Sequence, residues 1–369
     1  MSTQRRLLGA LVLLCISLQG AAAGSLVKLW ELDLGKWNKS AGGIADKVPV
    51  EALSFSPDGK WIALTSAEAK GEGRESTALL LVARVGAPEE GVKSFEVPWG
   101  GMVPDWSSSG DAIVVNSVLI QLETGASCGL PSIVRFISQD QIIGQRRAAP
   151  PSRATQFTIF GRNCRPGGEW KTPEEWYVTD VSVERQLLLV NKPLEENLLV
   201  DPDDGRVVRR WSRGAWPLWD GPGGQFADNG KALCGELSVD DAPKGKTMRC
   251  WNTDTGELIG NAPADYATGP FVTSRSSTRV VFSEVGLVRG LIPDWDMHPY
   301  KGAVVWDYAT GERLASWRPR TQTWTELGLR PPRKIAEPSK FAISADGQFV
   351  AEGGNGKLTV YKLEEKTAR

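Results

Sequence analysis

His298 is the only histidine in the chain, so any imidazole chemistry must pass through it. It lies in Ile292-Pro293-Asp294-Trp295-Asp296-Met297-His298-Pro299-Tyr300. Asp294, Asp296 and His298 alternate, and that spacing could hold a cation. A Ser-His-Asp arrangement would also have to use His298. The bland reading of the same stretch is a packed, hydrogen-bonded loop, and it is the simpler one. A metal site built on several histidines is excluded by count. No Asp-x-Asp-x-Asp-Gly calcium loop is complete, and Asp201-Pro202-Asp203-Asp204-Gly205 fits a turn better. The residues define no catalytic set and imply no metal and no cofactor.

Tryptophan and arginine offer binding chemistry instead. The chain holds 15 Trp, far more than its length requires. Trp61, Trp251 and Trp306 lie on strand-like segments and read as core. Trp99, Trp170, Trp216, Trp219, Trp295 and Trp324 fall between such segments. Large rigid aromatics dominate contact hot spots, although each could equally wedge between packed sheets. Basic residues gather in the same irregular stretches: Arg146 and Arg147, then Arg318, Arg320, Arg330, Arg333 and Lys334 around Trp324. Arg beside Trp suits a carboxylate-bearing partner; the alternative is solvated charge on long loops. Trp99, Arg147, Trp216, Trp219, Trp295, His298, Arg320 and Trp324 are the candidate binding residues.

The elements that must position them repeat. An apolar strand, a tight polar turn and a second apolar strand recur over Leu53–Leu64, Val103–Val115, Val134–Gly144, Val178–Val190, Gln225–Leu237, Phe271–Ser283 and Phe341–Gly353. Asp-Gly and Asn-Gly suit the turns because Gly and Asn tolerate positive φ. A second signature follows most hairpins, as in Trp251-Asn252-Thr253-Asp254-Thr255-Gly256 and Trp306-Asp307-Tyr308-Ala309-Thr310-Gly311. There the first residue ends a third strand and the Gly permits a turn into a fourth. Weaker copies end at Gly125 and Gly205. Repeated four-strand units predict an all-β fold, a β-propeller with antiparallel blades. The last unit ends at Lys357–Leu363 without a fourth strand, and Leu26–Leu32 is a spare one. Pairing them would close the ring and remove an open edge. Seven blades are expected, with six or eight left open because the second, third and fourth copies are weak.

These residues resemble the WD40 family and the looser bacterial propeller repeats. The resemblance covers nearly the whole chain after the first residues. Within the second signature, Trp306-Asp307 is the one copy that keeps a full Trp-Asp pair, and Gly-His pairs are absent from the chain. With one histidine the family's His–Asp network cannot form, so other bonds must hold the blade turns. The resemblance implies a scaffold for protein–protein interaction. Second-to-third strand connections and blade-to-blade connections would then emerge on one face, which would carry Arg147, His298 and Arg320.

Residues 1–23 read as an export signal: Arg5 and Arg6, an apolar run from Leu7 to Leu18, then Ala21-Ala22-Ala23, with cleavage before Gly24. The apolar run is shorter than the ~20 residues a membrane-spanning helix needs, and no later segment could span. Residues 24–369 form one domain. The four remaining cysteines are an even number, as disulfides in an exported chain require. Strands over Ala232–Leu237 and Thr247–Trp251 would put Cys234 opposite Cys250, which leaves Cys128 with Cys164; four buried free thiols are the alternative. Net charge is -1, and no basic stripe suggests nucleic acid. The expectation is an exported module, periplasmic or extracellular, that binds a protein partner. The rival is a propeller enzyme or carbohydrate binder acting at the mouth of the central channel.

Overall fold

The structure is a computed structural model. It describes residues 25–35, 50–70, 77–88, 92–98, 103–131, 133–149, 152–192, 196–212, 224–238, 246–262, 271–285, 300–318, 322–325, 334–337, 339–354 and 356–364. Seven four-stranded antiparallel sheets form a ring of blades. Blade 1 comprises Val50–Phe55, Trp61–Lys70, Thr77–Arg84 and Lys93–Pro98. Blade 2 comprises Asp105–Trp106, Ala112–Val115, Val118–Gln121 and Ser127–Gly129. Blade 3 comprises Ile133–Phe136, Gln141–Arg147, Thr155–Gly161 and Pro166–Thr172. Blade 4 comprises Tyr177–Ser182, Leu187–Lys192, Glu196–Val200 and Val207–Ser212. Blade 5 comprises Gln225–Ala227, Ala232–Ser238, Lys246–Asn252 and Leu258–Asn261. Blade 6 comprises Val272–Thr273, Arg279–Val285, Tyr300–Asp307 and Glu312–Trp317. Blade 7 comprises Lys340–Ile343, Phe349–Gly354, Lys357–Glu364 and, from the other end of the chain, Ser25–Asp33. A separate hairpin pairs Gln322–Thr325 with Lys334–Glu337 between blades 6 and 7.

The ring is held by apolar contacts between neighbouring blades. Each core cluster joins two successive blades. One unites Phe55, Ile62 and Leu81 of blade 1 with Ala351, Leu358 and Val360 of blade 7. Another unites Cys234, Met248 and Cys250 of blade 5 with Phe282, Val304 and Trp306 of blade 6. The remaining junctions have their own clusters. The twisted sheet faces supply these residues at every second position, so each blade buries both faces against its neighbours.

The closing strand is where expected. Ser25–Asp33 runs antiparallel to Lys357–Glu364, with a bulge at Leu29 between the pairs Lys28↔Tyr361 and Trp30↔Val360. Lys357 Nζ meets Glu31 Oε1 at 2.6 Å. Trp30 Nε1 donates to the Val85 carbonyl at 2.6 Å and so ties the closing strand to blade 1. The turn glycines behave as the sequence requires. Gly125, Gly205, Gly256 and Gly311 have φ between 71 and 77° at the third-to-fourth strand turns. Blade 3 departs from this. Its turn is one residue shorter, closed by Cys164 N–H to the Gly161 carbonyl at 2.9 Å, and it places Cys164 at φ 60°.

Both disulfides form. Cys234 and Cys250 face each other across the second and third strands of blade 5. Cys128, on the outermost strand of blade 2, bonds to Cys164 of blade 3. Trp170 differs from expectation: it lies on the outermost strand of blade 3, not on a connection. Its ring stacks on Phe157 at 4.0 Å, and its Nε1 donates to the Pro202 carbonyl of blade 4 at 2.8 Å. It is a wedge between blades.

Candidate functional site

The first strand of each blade lies at the ring's centre, where first strands of neighbouring blades touch. Two residues before the turn, five successive blades carry a polar side chain: Ser54, Asp105, Arg135, Asp180 and Gln225. Strand ladders hydrogen-bond only within a blade, so backbone groups at the junctions need other partners. These side chains supply several of them. Ser54 Oγ donates to the Pro104 carbonyl at 2.6 Å and accepts from Trp106 Nε1 at 2.9 Å. Asp105 Oδ2 accepts from Phe136 N–H at 2.7 Å. Asp180 Oδ2 accepts from Phe226 N–H at 2.7 Å. Gln225 Oε1 accepts from Thr273 N–H at 3.1 Å, and its Nε2 donates to the Phe271 carbonyl at 3.0 Å. These bonds tie the first strands of neighbouring blades together.

One long-range residue completes the centre. Arg275, in the first turn of blade 6, reaches Asp180 of blade 4. Its Nη2 donates to Oδ1 at 2.6 Å and its Nη1 to Oδ2 at 2.9 Å. Nη1 also donates to the Val181 carbonyl at 3.0 Å. The fork geometry is the strong, bidentate form of such a pair. Burial works against the Arg275 charge, but the Asp180 carboxylate outweighs it and holds the guanidinium pKa above its ordinary value. The side chain keeps 43% of its surface accessible.

A left-handed turn in blade 5 seats Arg275. Asp228, Asn229 and Gly230 have φ of 46, 52 and 76°. In that conformation Asn229 N–H donates to the Arg275 carbonyl at 2.5 Å and Asp228 N–H to the Ser277 carbonyl at 3.2 Å. Non-glycine residues at positive φ are costly and persist only where surrounding bonds hold them. Here two such residues are spent on fixing the backbone that carries Arg275.

Asp105 differs from Asp180 in its surroundings. Burial raises its pKa, against the opposing charge of Arg135, the Phe136 N–H bond and the charge of Arg275. Among the described carboxyls with a shifted pKa it alone moves upward. Arg135 Nη1 donates instead to the Val103 carbonyl at 3.1 Å. Among the described residues, the centre brings Asp105 and Asp180 close to Arg135 and Arg275. Among the described residues no group of three or more His, Cys, Asp or Glu is arranged to hold a metal ion.

At the end of the strands where the longer connections emerge, Arg147 meets blade 4. Arg147 Nη1 pairs with Glu175 Oε1 at 3.0 Å, and Tyr177 O–H donates to the same oxygen. That bond to a carboxylate, helped by burial and by the Glu175 charge, raises the tyrosine pKa. Tyr177 is 40% exposed and Val103, at the equivalent end of blade 2, is 47% exposed. Lys192 and Glu174 pair beside them at 2.5 Å. An arginine, a tyrosine and a valine therefore present mixed polar and apolar surface on one rim.

Of the sequence candidates, Arg147 is on this rim. Trp324 lies in the strand Gln322–Thr325 of the separate hairpin. Trp99, Trp216, Trp219, Trp295, His298 and Arg320 lie outside the described residues, as do Asp294, Asp296 and residues 1–23. Sequence reasoning missed Asp105, Asp180, Arg275, Glu175 and Tyr177. A signal existed for two of them: a carboxylate inside an otherwise apolar first strand, Asp180 beside Val181 and Asp105 beside Trp106.

No protein-family model matches the chain, and no curated protein does. Its structure is similar to a chain in "Crystal Structure of Mitotic Checkpoint Complex", with a TM-score of 0.58, 11% identity and 94% of each chain covered. At that identity the likeness shows the fold alone, a seven-bladed WD40-like propeller. No described helix is long and apolar enough to cross a membrane.

Proposed function

We propose that this chain is an exported binding module that holds a protein partner on the rim formed by Arg147, Glu175, Tyr177 and Val103. The observation that carries the reading is the contrast between rim and centre. In the centre Arg275 spends its fork on Asp180. On the rim Tyr177 stays exposed against an Arg–Glu pair, and Val103 is exposed at the same end of blade 2. Aromatic and arginine surface of this kind is enriched at contact sites. The fold's use as a protein scaffold and two disulfides suited to an oxidising compartment agree with it. Cleavage of residues 1–23 as an export signal would put the mature N-terminus at Gly24, one residue before the closing strand begins.

The test is site-specific crosslinking. A photoreactive residue replaces Tyr177 in one protein and Asp346, on the opposite face, in another. Envelope extract is then irradiated with each. Tyr177 is expected to trap one discrete partner that Asp346 does not, and Arg147→Glu should cut the yield about tenfold. Equal trapping from both faces, or none above an unfolded control, overturns the reading. N-terminal sequencing of the mature chain should begin at Gly24. A second reading, an enzyme acting at the channel, draws on the raised pKa of Asp105, since a general acid needs that property. Asp105→Asn should leave the Tyr177 crosslink intact if the rim alone binds.

A further inference from the structure

The two disulfides sit in opposite environments. Cys234 and Cys250 are both 0% exposed, paired mid-ladder between two long strands of blade 5 and packed against blade 6. Cys128 and Cys164 are only partly buried. Cys128 is on the shortest outer strand, Ser127–Gly129, which pairs with Val118, Leu119 and Ile120 and is flanked by the bond from Leu130 N–H to the Ser117 carbonyl at 2.6 Å. Cys164 occupies the tip of a turn at φ 60°, where the other described turns of this class use Gly. Its neighbours Asn163 and Arg165 are exposed. Nearby, Arg162 Nη2 holds Asp111 at 2.8 Å and Gln121 Oε1 at 3.0 Å, so blades 2 and 3 keep a second tie across the same seam.

We propose that Cys128–Cys164 is a thiol–disulfide exchange site, reduced while the propeller stays folded, and that its reduction releases the outer strand of blade 2. The reductant is a small thiol or a dithiol protein. Its thiolate bonds to one sulfur of the pair, the S–S bond breaks, and the other sulfur leaves as a thiolate that takes up a proton. A second thiol then displaces the protein sulfur. The protein gains two electrons and two protons, and the reductant becomes a disulfide. Two features favour exchange here over Cys234–Cys250: access, and a leaving thiol next to Arg165 in sequence. Phe136, Ile142 and Phe160 pack the apolar junction of blades 2 and 3 beside the bond. This inference does not depend on the partner proposed above.

The experiment uses the oxidised protein under native conditions with graded glutathione, then iodoacetamide and mass mapping. Cys128 and Cys164 should label at least ~10-fold faster than Cys234 and Cys250, with circular dichroism unchanged. Amide exchange over Ser127–Gly129 should rise in step with that labelling, while exchange over Ala232–Ser238 stays slow. Equal labelling of all four cysteines, or Cys234 and Cys250 first, overturns the proposal. Loss of the native signal together with Cys128 labelling also overturns it, because the site would then open only by unfolding. Unchanged exchange at Ser127–Gly129 after reduction overturns the strand release.

Discussion

Asp105 and Asp180 occupy the same place in their repeats, two residues before the serine that starts the turn. Each accepts one backbone N–H from the next blade, both at 2.7 Å. They differ in what neutralises them. Asp180 has Arg275 in a two-point contact. Asp105 has the fields of Arg135 and Arg275 without a comparable contact, and burial prevails over them. The latch between blades is therefore the hydrogen bond, which the two share. The charge is a separate matter, supplied with a partner in one copy and left costly in the other. A propeller can thus vary the electrostatics of its centre while keeping its junctions.

The largest effect should come from Asp180→Ala. It orphans the Phe226 N–H and leaves Arg275 charged without its partner. Breaking a buried pair from one side costs 3–5 kcal/mol in general, and the exposure of the Arg275 side chain argues for the low end, about 3 kcal/mol. Urea denaturation should show that loss in midpoint with unchanged slope. Asp180→Asn, which keeps an acceptor for Phe226, should lose less. A loss within 0.5 kcal/mol of zero, the range of ordinary surface substitutions, would mean that Arg275 finds another partner and that the two carboxylates are equivalent after all.

Gly230→Ala tests the same half of the comparison from the backbone. Gly230 has φ 76°, and a Cβ there would stand 2.1 Å from Ser182 Oγ. Ser182 is two residues from Asp180, and the turn also fixes the Arg275 carbonyl. The expected loss is about 2 kcal/mol. Combined with Asp180→Ala the losses should be strongly non-additive, because both act through Arg275. Combined with Asp105→Asn they should nearly add. Equal coupling to both would show that the centre responds as one unit.

Much of this architecture is local and so was readable in the chain. Asp58-Gly59 and Asp346-Gly347 mark turns because Gly59 and Gly347 need φ of 68 and 74°. Cys234 could be set opposite Cys250 by counting back from a turn, since antiparallel register is fixed by the turn between two strands. The closing strand was legible as a surplus apolar segment matched to a missing one. The charged centre was not. Arg275 and Asp180 are 95 residues apart, and no periodicity links them; only the closed ring brings blade 6 to blade 4. Trp170 was misplaced because Pro166-Gly167-Gly168-Glu169-Trp170 lacks the alternation of a strand. Its partner surface, Phe157 and Gly205, comes from two different blades. Most aromatic candidates fell in stretches with no repeat pattern, where sequence fixes composition but no position.

The smallest expected effect has the opposite sign, which makes it the sharpest test. Folding raises the Asp105 pKa above its unfolded value. The native state therefore holds the proton more tightly than the unfolded state does. Stability then falls as pH rises through the window that begins at the unfolded carboxylate value, about 3.9, and ends at the raised native value. Above that window the cost of the ionised group is fully present. Asp105→Asn removes the titration but leaves a side-chain oxygen to accept from Phe136 N–H. The variant should be at least as stable as the parent at pH 7 and should unfold at a higher urea concentration. Its advantage should shrink as pH falls and vanish near pH ~3, where the parent carboxyl is protonated in both states. Asp180→Asn should be less stable than the parent at pH 7, because there the lost charge had a partner. If both Asn variants destabilise equally at pH 7, then Arg135 and Arg275 stabilise Asp105 as a contact would, and the difference between the two blades is one of geometry without energetic weight.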